Sequence, residues 1–170
     1  KAKSPRFIKV HDCELEDYPK IIYVVRDYRD VLVSYYHYQK SLKEFFGSFS
    51  DFVRKVDQTH PFGAWKNHVD KAFEFGKRYP NRILILHYES LLKNSEDQLA
   101  KIASFTNYSG KNNLRDVAQP CQFDELRNQE KETGSLFKEK SGDLFFREGK
   151  SNAWKGSFSK DDLQIVLNDQ

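Results

Sequence analysis

Two short runs of apolar residues predict the strands of a buried sheet. The first covers residues 20–25 (KIIYVV), and the second covers residues 82–87 (RILILH), which follow a turn-like Tyr-Pro-Asn. Residues 6–10 (RFIKV) predict a third, shorter strand. Nearly continuous runs of β-branched and aromatic residues are typical of sheets that are buried on both faces.

Amphipathic patterns between and after these strands predict helices. One helix is expected over residues 30–42, and another is expected to open near Ser95. A third pattern places four apolar residues on one helical face, namely Trp65, Val69, Ala72 and Phe73. Strands that alternate with helices require crossover connections. We therefore expect an α/β fold, with a parallel sheet flanked by helices on both faces.

The periodicity disappears between residues 129 and 153, which predicts an irregular connection. The aromatic residues of segment 144–158 (LFFREGKSNAWKGSF) indicate that this connection docks back onto the body of the protein. The last helix is predicted to begin at Ser159. Asp162, three residues later, makes a weaker relative of the Ser-x-x-Glu capping box.

Length, charge and cysteine content narrow the class of protein. A chain of 170 residues suits a single domain, residues 1–170. The net charge of +3 comes from scattered residues, which argues against a nucleic-acid partner. No apolar run is long enough to predict a membrane span. Cys13 and Cys121 are far apart and lack metal-type spacing, so we expect a reducing compartment, the cytoplasm, and no metal site.

Arg26 is the first candidate for ligand binding. It follows the strand at residues 20–25, and ligands bind at the carboxyl ends of parallel strands. With Ser34 and the amides of the next helix, Arg26 could bind a small anion. The alternative is that Arg26 forms a salt bridge to Asp27 or Asp30 and that Ser34 is an ordinary surface residue.

Residues 20–38 (KIIYVVRDYRDVLVSYYHY) resemble the 3′-phosphate-binding strand and helix of cytosolic sulfotransferases. These enzymes use 3′-phosphoadenosine 5′-phosphosulfate (PAPS), and an Arg and a Ser eight residues apart bind its 3′-phosphate. Arg26 and Ser34 stand at those two positions. The resemblance implies the P-loop nucleotide-kinase-like sulfotransferase fold.

Further segments resemble the same family in the family's order. Residues 4–11 (SPRFIKVH) resemble the strand with the Lys-Thr-His signature, which implies that His11 is the catalytic base and Lys9 the catalytic lysine. Residues 60–69 (HPFGAWKNHV) resemble the start of a helix on the substrate side. Residues 83–92 (ILILHYESLL) place a tyrosine that approaches the adenine at Tyr88.

Two later segments complete the implied nucleotide site. Residues 121–129 (CQFDELRNQ) resemble the segment that gives a small residue and a Phe to the adenine, here Cys121 and Phe123. Residues 145–158 (FFREGKSNAWKGSF) resemble the Arg-Lys-Gly loop. They place further 3′-phosphate contacts at Arg147, Glu148 and Gly149.

The resemblance therefore implies an enzyme that moves the sulfuryl group of PAPS to a hydroxyl or amine of a small-molecule acceptor. Adenosine 3′,5′-bisphosphate (PAP) would be the product. The family chemistry needs no metal, and the resemblance gives no sign of a membrane or nucleic-acid partner. By analogy with phosphoryl transfer, such catalysis consists mainly of positioning and charge stabilisation.

Several departures from the family pattern qualify these expectations. No stretch resembles the Pro-Lys-Ser-Gly-Thr-Thr-Trp loop for the 5′-phosphosulfate, which the family places upstream of the Lys-Thr-His strand. We therefore expect the chain to be the C-terminal two-thirds of the domain, with poor PAP binding and no sulfate transfer on its own. Glu148 replaces a lysine. The vertebrate dimer motif is largely lost at Ser159, Lys160 and Gln164, so the sequence does not decide between a monomer and a homodimer.

Two weaker alternatives remain beside the enzyme. Glu148 and the missing loop favour a catalytically impaired protein that binds PAPS or PAP, or another partner, on the same scaffold. The other alternative is a relative of the P-loop kinases, since the two families have related folds, but no residue pattern here specifies ATP.

Overall fold

The computed structural model describes residues 7–11, 14–56, 65–110, 113–134 and 144–168. Within these residues, two strands form a parallel sheet, β1 (Ile21–Val25) and β2 (Ile83–His87). The helices of the described ranges are α1 (Tyr28–Ser41), α2 (Phe49–Val53), α3 (Trp65–Arg78), α4 (Tyr88–Lys93), α5 (Ser95–Thr106), α6 (Leu114–Ala118), α7 (Phe123–Thr133) and α8 (Lys160–Asn168). Short 3₁₀ turns lie at Leu15–Asp17, Gln119–Cys121 and Ala153–Gly156.

The sheet confirms two predicted strands and the parallel α/β arrangement. Ile21 pairs with Ile83 and Val25 with His87, and the connection from β1 to β2 contains α1, α2 and α3. The prediction that the sheet is buried on both faces was wrong for part of β1, because Val24 is 49% exposed.

The third predicted strand was wrong for its described part, residues 7–10, which are irregular and exposed. An alternating sequence gives strand propensity, but a strand also needs a neighbour for its main-chain hydrogen bonds. In the described ranges, β1 and β2 pair only with each other.

Capping residues explain where the predicted helices begin. Helix α1 starts two residues before the predicted position because the Asp27 carboxylate accepts a hydrogen bond from the main-chain N–H of Arg29. The capping box before α8 is confirmed. The Ser159 hydroxyl accepts from the Asp162 N–H at 3.1 Å, and the Asp162 carboxylate accepts from the Ser159 N–H at 3.0 Å.

Two apolar clusters hold the helices and the sheet together. Leu15, Ala72, Phe75 and Ile83 form the cluster between α3 and the sheet. The predicted apolar face of α3 was therefore partly wrong, because Phe75 is buried while Phe73 is exposed. The other cluster joins α1, α2 and α8 through Leu32, Phe52, Val53, Val56 and Val166.

The predicted irregular connection begins later than expected. Helix α7 continues to Thr133 and ends at Gly134, whose φ of 82° is one that residues with a side chain rarely adopt. Residues 135–143 lie outside the described ranges. The predicted docking of the aromatic segment is confirmed, because Phe158 packs edge to face on Phe49 of α2 and the guanidinium of Arg29 on α1 lies 3.9 Å from the Trp154 ring centroid.

Candidate functional site

A cavity of about 850 Å³ lies beside the carboxyl ends of both strands. Its wall combines the end of β1, one side of α1, the start of α4, the turn before α7 and the segment 144–150. All eight residues predicted to bind the nucleotide line this cavity: Arg26, Ser34, Tyr88, Cys121, Phe123, Arg147, Glu148 and Gly149. The fold therefore brings together four segments that are distant in sequence.

Arg26 spans the cavity from β1 to the segment 144–150. Its guanidinium carbon lies 4.4 Å from the ring centroid of Tyr88, and its Nη2 donates to the carbonyl oxygen of Lys150 at 3.3 Å. Its Nε is buried without a hydrogen-bond acceptor. A buried donor of a charged group is costly when it lacks an acceptor, so this nitrogen fits an anionic ligand.

The alternative in which Arg26 pairs with Asp27 or Asp30 is wrong. The carboxylate of Asp27 binds Arg29 at 2.6 Å, and the hydrogen bonds from Arg29 outweigh partial burial and lower the pKa of Asp27. Asp30 is buried and accepts from the main-chain N–H groups of Asn152 at 2.8 Å and Trp154 at 3.0 Å. Both carboxylates are therefore engaged elsewhere.

Gly149 brings the main chain of its loop against the ring of Phe123. A Cβ at residue 149 would lie 2.1 Å from the Phe123 Cδ2, and the φ of Gly149 is +59°. Only glycine therefore suits both the conformation and the contact. Phe146 stands edge to face with the Phe123 ring at 6.3 Å, so this aromatic wall is continuous.

Two buried carboxylates hold the segment that carries Arg147, Glu148 and Gly149. Asp30 on α1 binds its C-terminal side, at residues 152 and 154. Glu130 on α7 binds its N-terminal side by accepting from the N–H groups of Phe145 at 2.8 Å and Phe146 at 2.9 Å. We call Asp30 and Glu130 the two clasps. The sequence analysis did not identify them as such, because a carboxylate that binds main-chain N–H groups has no sequence pattern of its own.

Glu148 forms an ion pair with its neighbour Arg147, at 2.5 Å between Arg147 Nη1 and Glu148 Oε1. Both side chains are partly exposed. The cation in this pair is one that the family resemblance assigns to the 3′-phosphate. Glu148 therefore neutralises part of the positive charge of the cavity wall.

Lys9 and His11, the predicted catalytic pair, do not line this cavity. Both residues are exposed and lie in the irregular segment that precedes the first 3₁₀ turn. The carbonyl oxygen of His11 lies 3.3 Å from Nε2 of His68, and Nδ1 of His68 lies 2.8 Å from the hydroxyl of Tyr23. One neutral tautomer of His68 satisfies both contacts, with Nε2–H donating to His11 and Nδ1 accepting from Tyr23.

Two features are absent from the described part of the chain. No helix there is long and apolar enough to cross a membrane. No group of three or more His, Cys, Asp or Glu residues is arranged to hold a metal ion. Of the two cysteines, Cys121 is an exposed free thiol, and Cys13 lies outside the described ranges.

The parallel sheet and the cavity at its carboxyl edge define an α/β protein with a candidate site for an anionic nucleotide. A sequence model of the sulfotransferase domain matches residues 1–167. The chain belongs to the sulfotransferase family.

Individual relatives agree with this assignment. Sulfotransferase 1E1 of the rat (Rattus norvegicus) is 31% identical over 171 residues, which cover 92% of this chain and 57% of the relative. The chain thus spans about 57% of the length of that relative.

Solved structures show the same fold. A mouse sulfotransferase complexed with PAP matches with a TM-score of 0.73 at 22% identity, covering 88% of this chain and 56% of that one. Retinol dehydratase, in complex with androsterone and the inactive cofactor PAP, matches with a TM-score of 0.72 at 25% identity, covering 88% and 45%. The predicted sulfotransferase fold is confirmed.

Proposed function

We propose that the protein transfers the sulfuryl group of PAPS to a hydroxyl or amine of a small-molecule acceptor in the cytoplasm. The observation that carries this proposal is the convergence of the eight nucleotide-site residues on one cavity. Membership of the sulfotransferase family supports the reaction, and the likeness to structures that hold PAP supports the nucleotide. The resemblance to cytosolic members supports the location.

In this proposal the cavity holds the nucleotide part of PAPS. Arg26, Ser34 and Arg147 bind the 3′-phosphate, together with the main chain of Glu148 and Gly149. Tyr88, Cys121 and Phe123 hold the adenine. The unpartnered Nε of Arg26 and the wide aromatic wall around Phe123 fit these roles, since a phosphate needs charged donors and a base needs flat apolar surfaces.

The bound cosubstrate would supply an activated sulfuryl group, and the chain would supply positioning and proton transfer. His11 would accept the proton of the acceptor at an imidazole nitrogen, because histidine as a residue type exchanges protons near neutral pH. Lys9 would stabilise negative charge that develops during transfer. Neither role requires a metal.

A second candidate is a protein that binds PAP or PAPS without turnover. Two observations favour it: Lys9 and His11 are absent from the cavity wall, and Glu148 neutralises Arg147. This candidate keeps the nucleotide roles described above and removes the catalytic ones.

The turnover of labelled PAPS separates the two candidates. The protein at its full natural length is incubated with labelled PAPS and a panel of phenols, alcohols and amines, and the transferred label is counted. The sulfotransferase proposal predicts transfer to at least one acceptor. His11→Ala should lower that rate by about 10²- to 10⁴-fold while PAP affinity stays close to wild type.

The His68→Ala variant is the control, since it removes a neighbouring imidazole whose Nε2 contacts the main-chain carbonyl of His11. It should lower the rate by much less than His11→Ala. PAP binding with no transfer to any acceptor would establish the second candidate instead. Full activity in His11→Ala would remove His11 from the mechanism.

A further inference from the structure

Arg127 is a second arginine of the cavity wall whose buried nitrogen lacks an acceptor. It lies on α7, one helical turn after Phe123, and lines the same cavity. Its Nε is buried without a hydrogen-bond partner, as is the Nε of Arg26. In the described ranges, these are the only arginine nitrogens in that condition, and both belong to this cavity.

The carboxylates that could neutralise Arg127 on its own helix do not do so. Asp124 and Glu130 are three residues before and after it, which is the spacing of helical ion pairs. Glu130 is buried and binds the main chain of Phe145 and Phe146. Asp124 is exposed, and the described part of the chain contains no salt bridge that involves Arg127. No carboxylate of the described residues therefore forms an ion pair with the guanidinium of Arg127 at the cavity wall.

The cavity has a specific need for such a charge. Glu148 occupies a position where the family resemblance places a lysine, and its carboxylate binds Arg147. The cavity wall therefore lacks the positive charge of that lysine, and the charge of Arg147 is partly neutralised, at the end that would bind the 3′-phosphate. A phosphate dianion is bound tightly only where charged donors face it, so the loss must be made good by another residue.

We propose that Arg127 binds the 3′-phosphate of the nucleotide and replaces the positive charge that Glu148 neutralises at Arg147. This inference rests on the proposed nucleotide site. It adds a residue that the sequence resemblance does not assign, and it explains how a binding site with a reversed charge at residue 148 can still hold an anion.

Calorimetric titrations of the protein at its full natural length test this role. PAP is titrated into wild type, Arg127→Met and the control Lys131→Met, which removes one positive charge from the exposed side of the same helix. Methionine keeps the length of the apolar stem, and thermal melting checks that each variant folds. Arg127→Met should weaken PAP binding by about 10- to 100-fold, and Lys131→Met by less than about 3-fold.

Two further arms separate a phosphate contact from a structural role. The loss in Arg127→Met should be small for adenosine 5′-monophosphate, which has no 3′-phosphate. In a Glu148→Gln background, where Arg147 is released, Arg127→Met should cost clearly less affinity than in wild type. If Arg127→Met destabilises the fold, Arg127→Lys replaces it and should cause an intermediate loss, because lysine keeps the charge but not the planar donors.

The outcomes distinguish this inference from the proposed function. If wild type binds no PAP, the proposed nucleotide site fails and the role of Arg127 fails with it. A second outcome is that wild type binds PAP, Arg26→Ala weakens that binding, and Arg127→Met has the same PAP affinity as Lys131→Met. In that case the proposed nucleotide site is supported and only the role of Arg127 is overturned. Equal losses for PAP and adenosine 5′-monophosphate also overturn it.

Discussion

The chemistry of the cavity depends on three arginines, of which two lack a hydrogen-bond acceptor at a buried nitrogen and one forms an ion pair with a neighbouring glutamate. Arg26 and Arg127 each have a buried Nε without an acceptor, while Arg147 is bound by Glu148. The roles proposed for Arg26 and Arg127 share one physical basis, because a buried donor of a charged group is costly unless an acceptor binds it. The same logic explains why Asp27 and Asp30 do not disturb the site, since other donors already satisfy them.

Gly149 allows a sharp prediction at this scale. Gly149→Ala should weaken PAP binding and lower the free energy of unfolding by about 1–3 kcal/mol, because the methyl group meets the Phe123 ring at a positive φ. Chemical denaturation and calorimetry measure both effects in the protein at its full natural length.

Two other glycines serve as controls for Gly149→Ala. Gly134→Ala has a positive φ of +82° but open space, so it should show the conformational strain alone, without loss of PAP affinity. Gly156→Ala has open space and no positive φ, so it should change little. If Gly149→Ala lowered PAP affinity and the free energy of unfolding no more than Gly134→Ala does, the close contact with Phe123 would not explain the requirement for glycine at residue 149.

The secondary structure elements show how far the sequence could predict this molecule. The strands at residues 20–25 and 82–87 were predictable because their apolar runs are long enough to specify burial. Residues 6–10 carry a similar pattern, yet the described part is irregular, since strand formation depends on a partner that a local pattern cannot supply. Helix α7 was not among the predicted helices, because Phe123 and Leu126 are its only apolar residues and most of its length is polar.

The predictability of the site has the same limit. Family resemblance identified eight residues that line one cavity, although they come from distant segments. Asp30, Glu130 and Arg127 were not identified as parts of this site. Their importance comes from contacts with residues far along the chain or from the absence of a contact, and neither is visible in a linear pattern.

Asp162 gives a prediction at the scale of elements, because it joins α8 to α2. Its carboxylate accepts from the hydroxyl and N–H of Ser159 and from the Ser50 hydroxyl at 2.9 Å. Burial disfavours the charged form, but these hydrogen bonds outweigh it and lower the pKa of Asp162. Asp162→Asn should therefore lower the free energy of unfolding by about 1–2 kcal/mol at pH 7.

The pH dependence of this effect has a definite sign. A carboxylate whose pKa is lower in the folded than in the unfolded state stabilises the fold above the unfolded value of about 3.9. Its contribution is lost as the pH falls through the folded value. Urea denaturation from pH 7 to pH 3 should show the stabilities of wild type and Asp162→Asn converging below about pH 4. A constant difference would contradict the role of the charge, and the exposed Asp161→Asn should change little throughout.

At the scale of the whole described structure, the two clasps hold the segment that carries Arg147 at the carboxyl edge of the parallel sheet. The net charge of +3 is small, so anion binding must come from the local arrangement of arginines rather than from the overall field. This arrangement unites the fold, the cavity and the family assignment in one proposal, in which the cavity is the nucleotide site of a sulfotransferase.

Calorimetric titration of PAP into wild type and Arg26→Ala, with the protein at its full natural length, tests that claim most directly. Wild type should bind one PAP per chain, with ATP unable to compete. Arg26→Ala should bind about 10- to 100-fold more weakly, because a charged hydrogen-bond donor is removed from the 3′-phosphate. Arg115→Ala, with a side chain that is 80% exposed and outside the cavity wall, should bind like wild type. Absence of PAP binding by wild type, or equal affinity in Arg26→Ala, would contradict the account.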